Sequence, residues 1–589
     1  MGDLPEATAS INAELCATIV DEWVRAGVRH AVVAPGSRST PLALALADRD
    51  ELALHVHVDE RSAAFMALGL GLADGVPAVV LTTSGTAAVE LHPAVVEAHQ
   101  AGVPMLVVTA DRPPELHHVG APQTVDQDRL FGGAVRWFVD PGPPGPAARP
   151  TWRSLGARAV AEALGAGGAA PGPVHLNLPF REPLIGRPGA LPEGRPAGEP
   201  WHRSAVDASP AGGPVPDDVT LHGVVGPLAG RVLVVAGAGT GEVDTLLAAA
   251  ERAGWPVLAD PRSGCRTGHP AVVTTADAWL RDAEVADGLR PDLVLRLGEP
   301  PASKVLGSWL AASGARQVAV EPHGRWFDAD RTAVAVIRAD PARVVARLAD
   351  AVAGPADPAW TDRWRDLERA ADRVVQAALT GPGAPLTDPA VARAVAADLA
   401  ARPDAALVVS SSMPVRDLEW YGGTTGATRV LANRGANGID GVVSTAVGVA
   451  LARRGAGAPT VALVGDLAFL HDTNGLLGLA GRDVDLTVVV VDNDGGAIFS
   501  FLPPARELPA DRFELLFGTP HGVDLAGLAA AHHLPVDDVA GSAGVAGFRP
   551  VLAEAVDAGG ARVVVVRTDR VSNVAVHDAL HRAVHDARP

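Results

Sequence analysis

The sequence predicts an α/β protein of three domains, each built on a parallel sheet. Apolar runs of strand length recur along the chain with helical stretches between them, the alternation that parallel sheets require. Two stretches rich in proline and glycine divide the chain: residues 183–230, and the region carrying Pro355, Pro358, Pro382 and Pro385. A chain of 589 residues also exceeds what a single core serves, so two to four domains are expected. The boundaries read as 1–190, 191–380 and 381–589.

The first domain opens on an amphipathic helix, with Leu15, Ile19 and Trp23 four apart on one face and Gly27 as its stop. A strand at 30–34 leads into the loop Pro35-Gly36-Ser37-Arg38-Ser39. The alternating segment 52–58 precedes Asp59-Glu60-Arg61-Ser62 and a small-residue helix at 63–73. Further strands are expected at 78–82, 105–109 and 174–178. The second domain begins with a strand at 231–236 followed by Gly237-Ala238-Gly239-Thr240-Gly241. This is close to a dinucleotide fingerprint, but the third glycine is misplaced and no acidic residue stands at the ribose position, so a structural turn is the preferred reading. In the third domain the apolar runs 461–464 and 486–491 end in Gly465-Asp466 and Asn493-Asp494-Gly495-Gly496. The sequence leaves open whether the first and third domains are two copies of one plan.

Composition narrows the function. The net charge is −19 with no basic patch, which argues against a nucleic-acid partner while leaving small anionic substrates open to local arginines. Cys16 and Cys265 are the only cysteines, so neither a disulfide framework nor a cysteine-rich metal site is expected. Residues 1–12 lack the basic stretch and apolar core of a secretory signal, and no apolar run is long enough to span a bilayer. A cytoplasmic protein without membrane insertion is the expectation. Lys304 is the only lysine, a bias that reads as the mark of a GC-rich genome. The nineteen histidines show no zinc-binding spacing, and no serine-hydrolase elbow is present.

Asp466 and Asn493 stand 27 positions apart, room for one strand–helix–strand crossover, so their loops are expected side by side at the ends of neighbouring strands. A carboxylate, an amide oxygen and the carbonyl of Gly495 form a hard oxygen set suited to Mg2+, an ion that completes its shell with phosphates. Either residue alone would read as an ordinary turn. Glu60 sits at a strand-to-helix junction, where burial would disfavour its charged form; by itself it reads equally as a carboxylate opposing a helix dipole. Arg38, Arg112, Arg416 and Arg434 all follow strand-like runs. Singly they read as surface charges, with Ser39 a helix cap; together they suggest a pocket for substrates carrying several carboxylates.

In these motifs the sequence resembles the 2-succinyl-5-enolpyruvyl-6-hydroxy-3-cyclohexene-1-carboxylate synthases of menaquinone biosynthesis, within the thiamine-diphosphate (ThDP) superfamily. The resemblance rests on residues 35–41, 59–62, 109–114, 120–123, 433–435 with 438–441, 465–467 and 493–499, in the right order with matching gaps. The metal pair alone indicates the superfamily. The Pro-Gly-Ser-Arg-Ser-Thr-Pro and Asn-Arg-Gly motifs indicate the member, and the middle domain supports the match only loosely.

The resemblance implies the pyruvate oxidase/decarboxylase-like architecture: a pyrimidine-binding domain at 1–190, a Rossmann-like middle domain at 191–380 and a diphosphate-binding domain at 381–589. It implies a homodimer or homotetramer with active sites between subunits. The implied reaction is decarboxylation of 2-oxoglutarate and conjugate addition of the succinyl unit to isochorismate, with ThDP and Mg2+, or Mn2+ in its place. Glu60 is the implied catalytic residue, bonded to the cofactor's aminopyrimidine ring. Ile439, Gly465, Asp466, Leu467, Asn493, Gly495 and Ile498 are the other implied cofactor contacts, with Asp466, Asn493 and Gly495 on the metal. Ser37, Arg38, Arg112, Gln123, Ser412, Arg416, Arg434 and Phe499 match substrate positions. Lys304 matches a middle-domain lysine of the family, but Val305 replaces the basic residue that follows it in some relatives. The alternatives are a carboligase or decarboxylase of acetolactate-synthase type, which a flavin in the middle domain would favour, and a catalytically silent scaffold.

Overall fold

The computed structural model describes residues 4–202, 215–402 and 404–588; positions 203–214 of the first Pro/Gly stretch lie outside the described residues. Three six-stranded sheets, parallel throughout, carry the chain. The first comprises β1 (His30–Val33), β2 (Ala53–Val56), β3 (Ala78–Thr82), β4 (Met105–Asp111), β5 (Trp137–Val139) and β6 (Pro173–Pro179), in the order β2-β1-β3-β4-β6-β5. The second comprises β7 (Val232–Ala236), β8 (Val257–Ala259), β9 (Val272–Val273), β10 (Leu293–Leu297), β11 (Arg316–Val320) and β12 (Ala333–Ile337), in the order β12-β11-β10-β7-β8-β9. The third comprises β13 (Ala406–Val409), β14 (Arg429–Leu431), β15 (Thr460–Gly465), β16 (Leu486–Asp492), β17 (Val536–Val539) and β18 (Ala561–Arg567), in the order β14-β13-β15-β16-β18-β17. Position for position, the first and third sheets have the same strand order, so they are two realisations of one plan.

The described residues fall into two compact units. The first holds the described part of the first 206 positions together with Asn433–Ala456 and His471–Val484; the second holds the rest. In the first unit β3, β4 and β6 are buried along their whole length, as expected of central strands covered on both faces. Leu15, Ile19 and Trp23, on the helix Leu4–Arg25, are almost fully buried against them, as their spacing predicts. The helix Glu60–Asp74 is capped by Asp59, whose side chain accepts from the amides of Arg61 and Ser62, and it packs along the helix Val442–Ala452.

Residues 183–202 are a strap on this unit and not a loose linker. Arg25 donates to the carbonyl of Arg195 at 3.1 Å, and Arg153 donates twice to that of Pro192, at 3.0 and 2.8 Å. The amide of Trp201 reaches Glu22 at 2.8 Å, and Glu22 is itself paired with Arg153 at 2.8 Å. Further along, residues assigned to the linker form the helix Asp218–Val225, with Leu221 and Val225 in the core beside the second sheet.

In the second unit, the strand order of the second sheet reverses between the parallel neighbours β7 and β10, the crevice where such sheets ordinarily take dinucleotides. Here backbone closes the crevice: Gly237 donates to the carbonyl of Leu297 at 3.0 Å and Glu299 to that of Ala238 at 2.9 Å. A Cβ on Gly237 would lie 1.5 Å from the Glu299 oxygen, so that glycine serves chain-on-chain packing, consistent with the structural-turn reading.

The proline-bearing region around Pro358 was expected to be a linker, and this is corrected. Pro358 opens a 23-residue helix, Pro358–Thr380. Its stripe of Trp360, Trp364, Leu367, Ala371, Val375 and Leu379 is buried, with the Trp364 ring 4.9 Å from that of Trp279 and 6.0 Å from that of Trp309.

Candidate active site

Within the first unit Ser37 and Arg38 follow β1, Glu60 follows β2, and Arg112 and Gln123 follow β4. Glu60 is the first residue of its helix and half-buried. Ser37 is exposed, whereas Arg38 is buried and donates to the carbonyl of Phe180 and to Glu182, both at 3.0 Å. Arg38 is therefore not a solvated surface charge. Ser39 occupies the cap position of the helix Thr40–Ala47, but its hydroxyl donates back to the Gly36 carbonyl at 2.9 Å and not to the helix. Arg112 donates to the Ser84 hydroxyl, and Ser84 in turn donates to the carbonyl of Gln123 at 2.9 Å. Arg38 and Arg112 are close enough to feel one another: burial, then the charge of Arg38, pulls Arg112 below its ordinary range. Glu182, on Arg38 at 3.0 Å, and Asp111 offset part of this repulsion, and the two guanidinium groups are placed to share a further anion.

Gln123 carries φ 52°, and Ser412 in the other unit φ 74° with ψ −135°. Such backbone costs a non-glycine residue roughly 1–3 kcal/mol, a cost that clusters at binding sites. Arg434 and Ile439 lie on the loop 433–441, also in the first unit. Glu97 pins that loop by accepting from the amides of Gly435 and Ala436, at 2.6 and 2.7 Å, while the Asn433 amide donates to Thr445 at 3.1 Å.

Within the second unit, β15 and β16 pair so that Gly465 lies opposite Val491, which sets Asp466, just past β15, beside Asp492, the last residue of β16. The Asp466 carboxylate joins those loops: Oδ2 accepts from the amides of Gly495 at 2.8 Å and Asn493 at 3.2 Å, and Oδ1 from Leu467 at 2.6 Å. Burial raises both Asp466 and Asp492 above the usual carboxylate range. Gly495 has φ 137°, and a Cβ there would meet the Gly518 oxygen at 2.1 Å, so no side chain fits. Asn493 donates its Nδ2 to Asp388 at 2.9 Å, which leaves its Oδ1 shielded from solvent and without a partner. That oxygen, the Asp466 carboxylate and the second lone pair of the Gly495 carbonyl are the donors a hard cation takes, so this set fits Mg2+.

Ser412 precedes the helix Met413–Tyr421, and its carbonyl accepts from Arg416 on the first turn. Ile498 and Phe499 lie in the short turn Ala497–Phe501, with the Phe499 ring 5.6 Å from that of Phe517. Lys304 opens the helix Lys304–Ala312 beside the second sheet and is exposed.

Four residues escaped the sequence reading. Ser84 follows β3 in a Thr-Thr-Ser-Gly run that carries no distinctive spacing. Asp492 was hidden as the last residue of an apolar strand. His521 places Nε2 3.4 Å from Asp466, and Asp466, Asp492 and His521 offer ligand atoms within 4.8 Å of one another. Asp388 lies 105 positions before the asparagine it holds.

Comparison with known proteins agrees with this geometry. Family models for thiamine pyrophosphate enzymes match residues 14–130 (N-terminal TPP binding domain), 224–404 (middle domain) and 421–566 (C-terminal TPP binding domain). The chain resembles the fold of benzoylformate decarboxylase from Polynucleobacter necessarius, with TM-score 0.70 at 18% identity, covering 94% of this chain and 98% of that one. Among curated relatives, the 2-succinyl-5-enolpyruvyl-6-hydroxy-3-cyclohexene-1-carboxylate synthase of Halobacterium salinarum is 45% identical over 94% of both chains. That of Myxococcus xanthus is 43% identical over 97% of both. That of Chloroflexus aurantiacus is 42% identical over 97% of this chain and 96% of its own. At that identity over nearly the whole length, the chain belongs to the 2-succinyl-5-enolpyruvyl-6-hydroxy-3-cyclohexene-1-carboxylate synthase family of thiamine-diphosphate-dependent enzymes.

Proposed function

We propose that the chain decarboxylates 2-oxoglutarate and adds the resulting succinyl unit to isochorismate, giving 2-succinyl-5-enolpyruvyl-6-hydroxy-3-cyclohexene-1-carboxylate and CO2 for menaquinone synthesis. The observation that carries this reading is the presence of two donor sets, each at the strand ends of its own unit. One is an oxygen set at Asp466, Asn493 and Gly495; the other is a guanidinium and hydroxyl set at Arg38, Ser84 and Arg112.

The residues at 1–190 serve as the pyrimidine-binding domain, 191–380 as the middle domain and 381–589 as the diphosphate-binding domain. Asp466, Asn493 and the Gly495 carbonyl hold Mg2+, or Mn2+, against the cofactor diphosphate, with Gly465, Leu467, Ile439 and Ile498 around the cofactor. Bound ThDP supplies the electron sink for breaking and making carbon–carbon bonds.

The protein's part is proton handling and anion binding. Glu60 hydrogen-bonds the cofactor's pyrimidine ring through its carboxyl group and relays a proton there. Arg38, Arg112, Arg416 and Arg434, with Ser37, Gln123 and Ser412, bind the substrate carboxylates and hydroxyls and fix their orientation. Phe499 and Ile498 supply an apolar wall that excludes water. The active assembly is a homodimer or homotetramer with its sites between subunits, working in the cytoplasm. No helix among the described residues is long and apolar enough to cross a membrane.

The acetolactate-synthase alternative is less well supported. Small monocarboxylate substrates need fewer guanidinium anchors, and loop backbone is bonded across the crevice between β7 and β10 where a dinucleotide would enter.

The test is CO2 release from 2-oxoglutarate with ThDP and Mg2+, with and without isochorismate, beside Glu60→Gln. Isochorismate-dependent turnover that falls by two or more decades in the variant is the expected result, on the scale of lost general acid–base catalysis at roughly 10²–10⁴-fold. Turnover with pyruvate and none with 2-oxoglutarate would overturn the substrate assignment. Turnover unaffected in Glu60→Gln would overturn the role of that residue.

A further inference from the structure

A buried carboxylate outside the expected site holds the side-chain amide of Asn493. Asp388 is the first residue of the helix Asp388–Ala400 and is 5% exposed. At that position a carboxylate ordinarily faces its own helix amides. Its recorded partners are instead three side chains from three other segments. Oδ2 accepts from Nδ2 of Asn493 at 2.9 Å and from Nδ2 of Asn573 at 3.0 Å, while the Thr568 hydroxyl donates to Oδ1 at 2.6 Å.

Those partners are anchored in turn. The amide of Thr568 donates to the Asp492 carbonyl at 2.9 Å, and the carbonyl of Asn573 takes His577 Nδ1 at 2.8 Å, with His577 Nε2 on Asp417 at 2.7 Å. A fixed acceptor with no nearby freedom therefore faces the Asn493 amide.

An amide has one donor end and one acceptor end, and which end faces a cation decides whether the residue can be a ligand at all. Oδ2 of Asp388 accepts from both amide groups, so Nδ2 of Asn493 faces it. The carbonyl Oδ1, buried and without a partner, is left for the metal. We propose that Asp388 is a positioning residue for the metal centre, locking the Asn493 amide in the orientation that presents oxygen to the cation. The inference rests on the metal reading of Asp466, Asn493 and Gly495. It assigns to Asp388 the role that outer partners play at metal sites, where their loss lowers metal affinity by about 10–100-fold.

The experiment measures Mn2+ affinity of the purified full chain in the presence of ThDP, from the paramagnetic resonance signal of free Mn2+. Asp388→Leu is expected to weaken Mn2+ by about 10–100-fold. Asp388→Asn, which keeps an oxygen for both amides, should stay within a few-fold of the unmodified chain. Asn493→Asp alone sets a second carboxylate against Asp388 and should weaken binding. The double exchange of Asp388→Asn with Asn493→Asp, built on Asn573→Ala so that no second amide donor faces the new Nδ2, restores a donor–acceptor pair and should recover most of the affinity.

A residue that only stabilises the fold has no reason to follow this exchange, so recovery with the double exchange supports positioning even if Asp388→Leu does not fold. Unchanged Mn2+ affinity in a folded Asp388→Leu, or no recovery with the double exchange, would overturn the proposal. Absence of Mn2+ binding by the unmodified chain would remove the metal reading itself, and is told apart because it is seen before any substitution.

Discussion

The first and third sheets share one strand order, yet their loops carry opposite chemistry. β4 and β16 occupy the same place in that order, and each ends on a buried aspartate, Asp111 and Asp492, that burial raises above the usual carboxylate range. The next residue is Arg112 in one and Asn493 in the other. β3 and β15 correspond likewise: Thr83 and then Ser84 follow β3, and Asp466 directly follows β15. The first unit thus gathers guanidinium and hydroxyl donors, which want an anion. The third sheet gathers carboxylate, amide and carbonyl oxygens, which want a cation. Topology decides where loops meet; one or two residues beyond each strand decide what they bind.

The largest test of this contrast removes the cation set. Asp466→Ala deletes the carboxylate that joins the two loops, and should weaken Mg2+ binding in the presence of ThDP by roughly 3–5 kcal/mol, as when one partner of a buried charge pair is lost. Titration calorimetry reads it directly, and native-like affinity would break the comparison.

The buried carboxylate Asp472 of the first unit sharpens the contrast, because its partners are protein groups. It accepts from the amide of Ser444 at 2.6 Å and from the Ser444 hydroxyl at 3.0 Å, and burial pushes it up to about 6. A raised carboxyl contributes its stability fully below the ordinary carboxylate range and loses it as pH climbs from about 4 to about 6. Asp472→Asn keeps an acceptor and cannot ionise. Relative to the native chain it should gain about 3 kcal/mol across that window, at 1.36 kcal/mol per pKa unit. Thermal melts at pH 4 and pH 7 measure the difference, and parallel pH profiles for the two proteins would refute it.

The smaller test removes an anion anchor. Arg112→Ala should raise KM for the carboxylate substrate by an amount worth about 2 kcal/mol, the scale of a hydrogen bond to a charged group, with ThDP affinity unchanged. Arg112→Lys keeps the charge but loses the fork and should fall between. An equal loss of ThDP affinity would mean that the two donor sets do not divide the work as described.

Strand cores were legible because a strand buried on both faces must be an uninterrupted apolar run, as 78–82 and 486–491 are. Asp466 and Asn493 were legible because strand ends are where such runs stop. The helix Pro358–Thr380 was misread since its prolines look like breakers, although Pro358 sits at the helix start, where the missing N–H costs nothing. The strap at 183–202 looked like a linker because its anchors are arginines far back in the chain, meeting backbone carbonyls that no composition reveals. Asp388 and His521 were invisible for a related reason. Neither has a local motif, and only the folded path of the chain brings them to the cation set.

The closed crevice of the middle sheet has a consequence for amide exchange with solvent. Loop amides usually exchange quickly, because nothing holds them. Gly237 and Glu299 are bonded across the gap between β7 and β10, so their deuterium uptake should track that of the neighbouring strands. In this domain the slowest-exchanging zone would extend past the sheet into its loops, and the place where related folds open to admit a nucleotide would be among the last to breathe.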